Sequence, residues 1–151
     1  MPAGAKGSPA ARKQVVTLDE AVIEIMSDSG EGAQKCGQSF GSIAARMGNG
    51  VWTVEIIPAE IQPPARSVAG ASGNRIRIGA KAISNGGDEA DLAVAFNEQV
   101  LLGRVNAGEL RPGCIILLES IWAESPDPKI AAQYAETLAR LVAEGYRVHE
   151  V

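Results

Sequence analysis

Histidine and cysteine are nearly missing from this chain of 151 residues, which holds one histidine, His149, and two cysteines, Cys36 and Cys114. That shortage leaves no set of side chains for the usual zinc sites and makes a Ser–His or Cys–His pair improbable. Two thiols are also too few to hold an iron–sulfur cluster within one chain. No catalytic residue and no metal ligand are therefore assigned. Positive charge is not in excess either: 14 Lys and Arg stand against 18 Asp and Glu, a net charge of −4. The electrostatic footprint of a nucleic-acid binder is absent, and no nucleic-acid partner is expected. No apolar run approaches the roughly 20 residues that cross a bilayer, so no membrane partner is expected. The opening MPAGAKGSPAARKQ lacks the apolar stretch of a signal peptide. Residues 1–19 read as a flexible tail. The contexts of Cys36, in a helix, and Cys114, in a buried strand, suggest small core residues in a reducing cytoplasm.

What is present is ordinary for one globular domain, here residues 20–151. Seventeen glycines and eight prolines cluster between apolar runs as turn punctuation. EAVIEIMS at 20–27 reads as a strand, followed by the turn DSGEG. In the next stretch Cys36, Phe40, Ile43, Ala44 and Met47 fall on one helical face. Ser29 is the expected N-cap and Gly48 or Gly50 the stop. Ala33, Gly37 and Gly41 form a second stripe of small residues. Glycine inside a helix costs about 1 kcal/mol against alanine, so close approach of helix to sheet is the expected reason for two of them.

VWTVEII at 51–57 is the next strand, and a long loop with Pro63-Pro64 at its centre runs over 58–72. NRIRIGA at 74–80 alternates, which predicts an exposed basic face carrying Arg75 and Arg77. LAVAF at 92–96 is continuously apolar, as a central parallel strand is. Asn97 should cap a helix running to about Val105, with ELRPGC as a turn before a buried strand IILLE at 115–119. Asp127 as cap, Pro128 at the first helical position and Gly145 at the end delimit the last helix. Its apolar face is Ile130, Tyr134, Leu138, Leu141 and Val142. YRVHEV at 146–151 reads as a final strand in which the chain stops, as expected of the start of a longer polypeptide or of a trimmed subunit. Strands alternating with helices predict the fold class: α/β, a doubly wound, mostly parallel, Rossmann-like sheet in a single domain.

The turn SDSGEGAQKCG is the sharpest motif. A strand entering a glycine turn and a helix N-terminus offers free N–H groups and the positive end of a helix dipole to a phosphate or carboxylate. Gly30 and Gly32 fit the dinucleotide pattern, but its third glycine falls on Lys35. Glu31 opposes an anion there and Lys35 favours one, so anion site and plain strand-to-helix turn both stay open. Arg66, Ser67 and Ser72 in the long loop would reach the carboxyl ends of the strands, where ligands bind in open α/β sheets. Asp88, Glu89 and Asp91 read as a solvated approach to a strand.

Taken in order, the blocks S-G-E-G-A-Q, V-W-T-V-E-I-I-P-A-E-I, D-E-A-D-L-A-V-A-F-N-E-Q-V and L-R-P-G-C-I-I-L carry a resemblance. Together they resemble the gamma domain or subunit of 2-oxoacid:ferredoxin oxidoreductases, which also occurs at the N-terminus of the 2-oxoglutarate-type alpha subunit. The likeness covers about residues 20–120. It implies a domain of a thiamine-diphosphate enzyme that turns a 2-oxoacid and coenzyme A into acyl-CoA and CO2, passing electrons to ferredoxin or a similar acceptor. In such enzymes the thiamine diphosphate and iron–sulfur clusters sit mainly on other domains, which become the expected partners, with coenzyme A as co-substrate. By position, Gly30, Glu31, Gly32 and Gln34 match the family's turn, and Glu60 and Ile61 its loop. The resemblance and the local chemistry together give the candidate cofactor-binding set Ser29, Gly30, Glu31, Gly32, Gln34, Lys35 and Arg66. Ala33, Lys35 and Gln62-Pro63-Pro64 depart from the family pattern. The proline pair removes two N–H donors from the loop. A stand-alone nucleotide-binding domain and an assembly protein without ligand are the alternative readings.

Overall fold

Valine and isoleucine alternate with polar residues early in the chain, and in the computed structural model, which describes residues 13–58 and 70–151, this stretch becomes the centre of a six-stranded sheet. Strand β1 (Glu20–Asp28) leads to helix α1 (Ala33–Arg46), β2 (Gly50–Ile56) and β3 (Ala71–Gly79). Then come β4 (Ala90–Ala95), α2 (Glu98–Asn106), β5 (Leu110–Leu118), a 3-10 turn (Ile121–Glu124), α3 (Pro128–Ala143) and β6 (Arg147–Glu150). The strand order is β2-β3-β1-β4-β5-β6. Strands β1, β4, β5 and β6 run parallel to one another, giving the mostly parallel α/β sheet expected. Strand β3 enters antiparallel between β1 and β2, a feature that no local pattern announced. The flexible tail expected over 1–19 lies largely outside the described residues, as do Glu60, Ile61, Pro63, Pro64, Arg66 and Ser67 of the long loop.

The period-2 alternation of the strands sorts side chains to two faces. Ile23 and Ile25 of β1, with Ile76 of β3, pack against Ala33 of α1. Met26 of β1 faces the other way, into a core with Ala93, Ile116, Leu101 of α2, and Tyr134 and Leu141 of α3. Helix α1 therefore covers one face over β1, β2 and β3, and α2 and α3 cover the opposite face. The three α-helices among the described residues stop the same way, with a left-handed glycine after the cap: Gly48, Gly108 and Gly145 at φ 93°, 74° and 90°. Behind each glycine the next N–H reaches back into the last turn, as Asn49 does to the Ala44 carbonyl at 3.2 Å.

The structure corrects several sequence expectations. The face of α1 that packs on the sheet is Ala33, Gly37, Gly41 and Ala44, while Phe40, Ile43 and Met47 are exposed, as is Cys36. The glycines decide this: a β-carbon on Gly37 would lie 2.3 Å from the Asn74 β-carbon, so only small residues let the helix approach. Close approach, the reason expected for the glycines, is thus present, and the large apolar residues turn aside. Val142 likewise lies outside the α3 core face. Ser72 belongs to β3, not to the loop. ELRPGC is not a turn before β5 but its beginning, with Gly113 at φ 76° where the pairing with β4 shifts register.

Arg75 and Arg77 do not form a solvated face. Arg75 is buried, and its Nε donates to Glu24 Oε1 at 2.9 Å. Glu24 is itself fully buried in β1 and also accepts from Arg104 of α2 at 2.6 and 3.0 Å. Glu109 pairs with both arginines, so two carboxylates balance two guanidiniums. Burial pulls the Arg104 pKa down, but the Glu24 hydrogen bond and charge and the Glu109 charge leave it raised on balance. Arg75 also donates to the Gly87 and Asp88 carbonyls at 3.0 and 2.9 Å, pinning the β3–β4 connection against the sheet. Arg77 pairs with Glu20 at 2.9 Å.

Candidate functional site

The backbone of the Ser29–Gly32 turn is set by two glycines in the left-handed region, Gly30 at φ 87° and Gly32 at φ 93°. Gly32, not Ser29, is the N-cap of α1, and no side chain caps the helix. The cause is the length of the turn: helical geometry begins only at Ala33, too far along for the Ser29 hydroxyl to serve. A glycine cap carries no side-chain oxygen, so the first-turn N–H groups stay available at the positive end of the dipole. The helix proper starts with the Cys36 N–H donating to the Gly32 carbonyl at 2.9 Å.

Glu31, whose charge opposed an anion at this turn, is occupied locally. Its Oε2 accepts from the Asp28 N–H at 3.1 Å and closes the turn. Asp28 Oδ2 in turn accepts from Asn97 Nδ2 at 3.2 Å. The Asn97 Oδ1 accepts from the Gln99 and Val100 N–H groups, both at 3.0 Å, and so caps α2. The carboxyl ends of β1 and β4 are thereby tied together. Helix α1 leaves β1 for one face and α2 leaves β4 for the other, so this pair of strands is the switch point of the sheet, where open α/β sheets hold ligands.

Beside the turn lies a depression of about 360 Å³ lined by Gly30, Gly32, Ala33, Gln34, Lys35, Gln38 and Ser72. Four of the seven expected site residues, Gly30, Gly32, Gln34 and Lys35, come together here. Ser29 and Glu31 are exposed on the same turn but do not line the depression, and Arg66 falls outside the described residues. Gln34 also anchors the helix, its Nε2 donating to the Ile56 carbonyl at 3.1 Å. Lys35 is exposed and forms no ion pair among the described residues. Gln38, one turn beyond the motif, joins the site without a sequence signal. Ser72, expected at the strand ends as a loop residue, is brought there on β3, opposite Ser27.

The two cysteines differ. Cys36 is exposed on α1, whereas Cys114 is buried in the core on the other face of the sheet. Burial, with the nearby charges of Asp91 and Glu24, pushes the Cys114 thiol up to about 12. The expectation of a core position holds for Cys114 and fails for Cys36, because the glycine stripe rotates Cys36 away from the sheet. Trp122 is half-buried, its indole N–H donating to the Phe96 carbonyl at 2.7 Å, and Trp52 is exposed. Among the described residues no cluster of histidine, cysteine or carboxylate side chains could hold a metal ion, and no helix is long and apolar enough to cross a membrane.

Residues 22–148 match the family model described as pyruvate ferredoxin/flavodoxin oxidoreductase. The chain belongs to this family. The match spans the glycine turn, the Asp28–Asn97 link and the sheet through β6, in line with the resemblance read from the ordered blocks. A curated relative, the 2-oxoglutarate oxidoreductase subunit KorA of Mycobacterium tuberculosis, is 38% identical over 103 residues. That region is 68% of this chain but only 16% of KorA, so the chain spans a small part of its relative. Among solved structures, the 2-oxoglutarate:ferredoxin oxidoreductase of Magnetococcus marinus, with 2-oxoglutarate, coenzyme A and succinyl-CoA bound, superposes with a TM-score of 0.64. It is 21% identical, over 89% of this chain and 20% of that one. The keto/oxoacid ferredoxin oxidoreductase gamma subunit of Geobacter sulfurreducens gives a TM-score of 0.58 at 13% identity, over 87% of this chain and 59% of that one. At these identities the two structures establish a shared fold.

Proposed function

We propose that this oxidoreductase-family domain is the gamma-type domain of a thiamine-diphosphate-dependent 2-oxoacid oxidoreductase complex, and that it helps bind coenzyme A at Gly30–Lys35. The complex would convert a 2-oxoacid and coenzyme A to acyl-CoA and CO2, with the electrons going to ferredoxin or a similar acceptor. The carrying observation is the uncapped N-terminus of α1 at the β1/β4 switch point, in a chain of this family. Its free N–H groups and Lys35 fit the phosphates of coenzyme A, which is the chemistry a helix N-terminus accepts. Ser29 and Arg66 join the candidate set as flanking donors, and Gln34 holds the helix end in place against β2. Thiamine diphosphate and iron–sulfur clusters belong on partner chains in this reading. A cluster needs more thiolates than Cys36 and Cys114 provide, and these two stand on opposite faces of the sheet.

The stand-alone dinucleotide-binding alternative is less well supported. That mode needs an acidic residue at the end of the strand following α1, placed beside β1. Here β3 separates β2 from β1. The test is kinetic, on the assembled complex. Lys35→Glu should raise KM for coenzyme A about fivefold or more, a loss of about 1 kcal/mol, with kcat little changed. An unchanged KM for coenzyme A would sink the ligand role and leave a purely structural domain.

A further inference from the structure

One half of a sheet face carries no helix. On the side covered by α1, no helix of the described residues packs on β4, β5 or β6, because α2 and α3 both lie on the opposite face. The uncovered strands present Leu92 and Val94 of β4 and their register partners Ile115 and Leu117 of β5, all half-buried. The exposed apolar side of α1 borders this floor. At about 100° per residue, Cys36, Phe40, Ile43 and Met47 stand roughly a quarter-turn from the Gly37–Gly41 packing stripe. Gln34 and Gln38 occupy the other flank and bond to β2, at 3.1 Å to the Ile56 carbonyl and 3.0 Å to Glu55. The apolar flank therefore looks away from β2, towards β4. Helical periodicity and strand register thus set this helix wall beside the sheet floor, as the two sides of a trough.

We propose that this trough seats a single amphipathic helix with an apolar stripe and an acidic flank, supplied by the polypeptide that completes the oxidoreductase around this domain. Helices pack about 8–10 Å apart and strands about 4.8 Å, so a helix beside α1, which packs mainly on β3, would sit two strands along, over β4. Phe40, Ile43 and Met47 are 38%, 59% and 76% exposed, more than a domain leaves in one row without a partner. The far rim fixes the occupant's charge. Arg147 and His149 of β6 are the register partners of Ile115 and Leu117, so they share this face, and both are exposed. Arg147 has no ion pair among the described residues and calls for a carboxylate opposite. The two solved chains are longer than this domain, which covers 59% of the Geobacter gamma subunit and 20% of the Magnetococcus chain.

This inference rests on the reading of the domain as part of a larger complex. The test uses the full complex, co-purified and sized with the parent chain and with Phe40→Glu/Ile43→Glu, Phe40→Leu and Arg147→Glu variants. The acidic pair should lower the assembled fraction at least tenfold, and Phe40→Leu should leave it intact. Arg147→Glu should weaken assembly at low salt and lose that effect at high salt. Because the altered side chains are exposed, the melting temperature of the unassembled chain should stay close to the parent value, which separates lost docking from lost folding. Unchanged assembly of the acidic pair overturns the trough alone and leaves the proposed function standing. A parent chain that self-associates through this face, dissociating in the acidic variant, replaces the partner helix by a second copy and overturns the inference. Isolation of the chain with no thiamine-enzyme partner overturns both readings.

Discussion

Gly37 has no room for a β-carbon, and this one residue decides which side of α1 meets the sheet. A methyl at this position would sit 2.3 Å from the Asn74 β-carbon, far inside contact distance. Gly37→Ala should gain about 1 kcal/mol of helix propensity and lose about 1–3 kcal/mol to overpacking. The expected net effect is a lower melting temperature by several degrees. A higher one would mean that the helix can lift without loss. Glu24 is the second residue on which much depends. It is the fully buried carboxylate between Arg75 and Arg104, whose side chains are 8% and 21% exposed. Glu24→Ala would leave two partly desolvated cations sharing Glu109 alone, and breaking a buried pair this way costs about 3–5 kcal/mol, here at the lower end because Glu109 and some solvent remain. Urea denaturation reads this directly, and a change below 1 kcal/mol (roughly the value of a surface pair) would show that the network relaxes into water.

At the scale of elements, the helix ends are written in side chains while the start of α1 is left open. Asp127 accepts from the Lys129 N–H at 2.9 Å and Pro128 begins α3, so Asp127→Ala should cost about 1 kcal/mol. Asn97 does more: it accepts from two N–H groups of α2 and donates to Asp28 across the β1/β4 boundary, fully buried. Asn97→Ala should therefore cost about 2 kcal/mol, the upper end for a cap. The ranking is the test: equal losses in urea midpoints at equal slope would show that the link to Asp28 contributes nothing. The contrast with Gly32 has a functional sense. A cap that satisfied the first turn of α1 would remove the donors that the proposed ligand contact uses.

For the whole molecule, alkaline pH is the condition to which the core is sensitive. Cys114 is pushed up to about 12 by burial and by the charges of Asp91 and Glu24. Tyr134 is raised by burial and by its hydrogen bond to Glu150, and Tyr146 by burial and Glu144. Each group is raised in the folded state, so above its ordinary pKa the unfolded chain has lost a proton that the folded chain keeps. Stability is then fully present below about pH 9 and declines as pH rises towards 12. Melting temperatures between pH 7 and 11 should be flat and then fall, and the fall should be shallower in Cys114→Ala than in the parent. A decline already under way between pH 7 and 8 would contradict this.

Elements whose causes are local were legible before any fold was known. Period-2 alternation marks β1, a continuous apolar run marks β4, and Asn97, Asp127, Pro128 and the stop glycines mark helix ends through hydrogen bonds made within a few residues. The family, too, was legible, because ordered blocks survive without knowledge of where they pack. Features that depend on partners distant in the chain needed the folded arrangement. Arg75 reads as a solvated strand residue until β3 inserts antiparallel beside β1 and brings it to Glu24, 51 positions away. Phe40, Ile43 and Met47 read as a core face until the glycine stripe wins the sheet, since a helix approaches along its smallest side chains. Ser72 reads as a loop residue near the strand ends until pairing with β1 makes it part of β3. Local hydrogen bonds and hydropathy are properties of short segments; the choice of which face to bury is a property of what lies across from it.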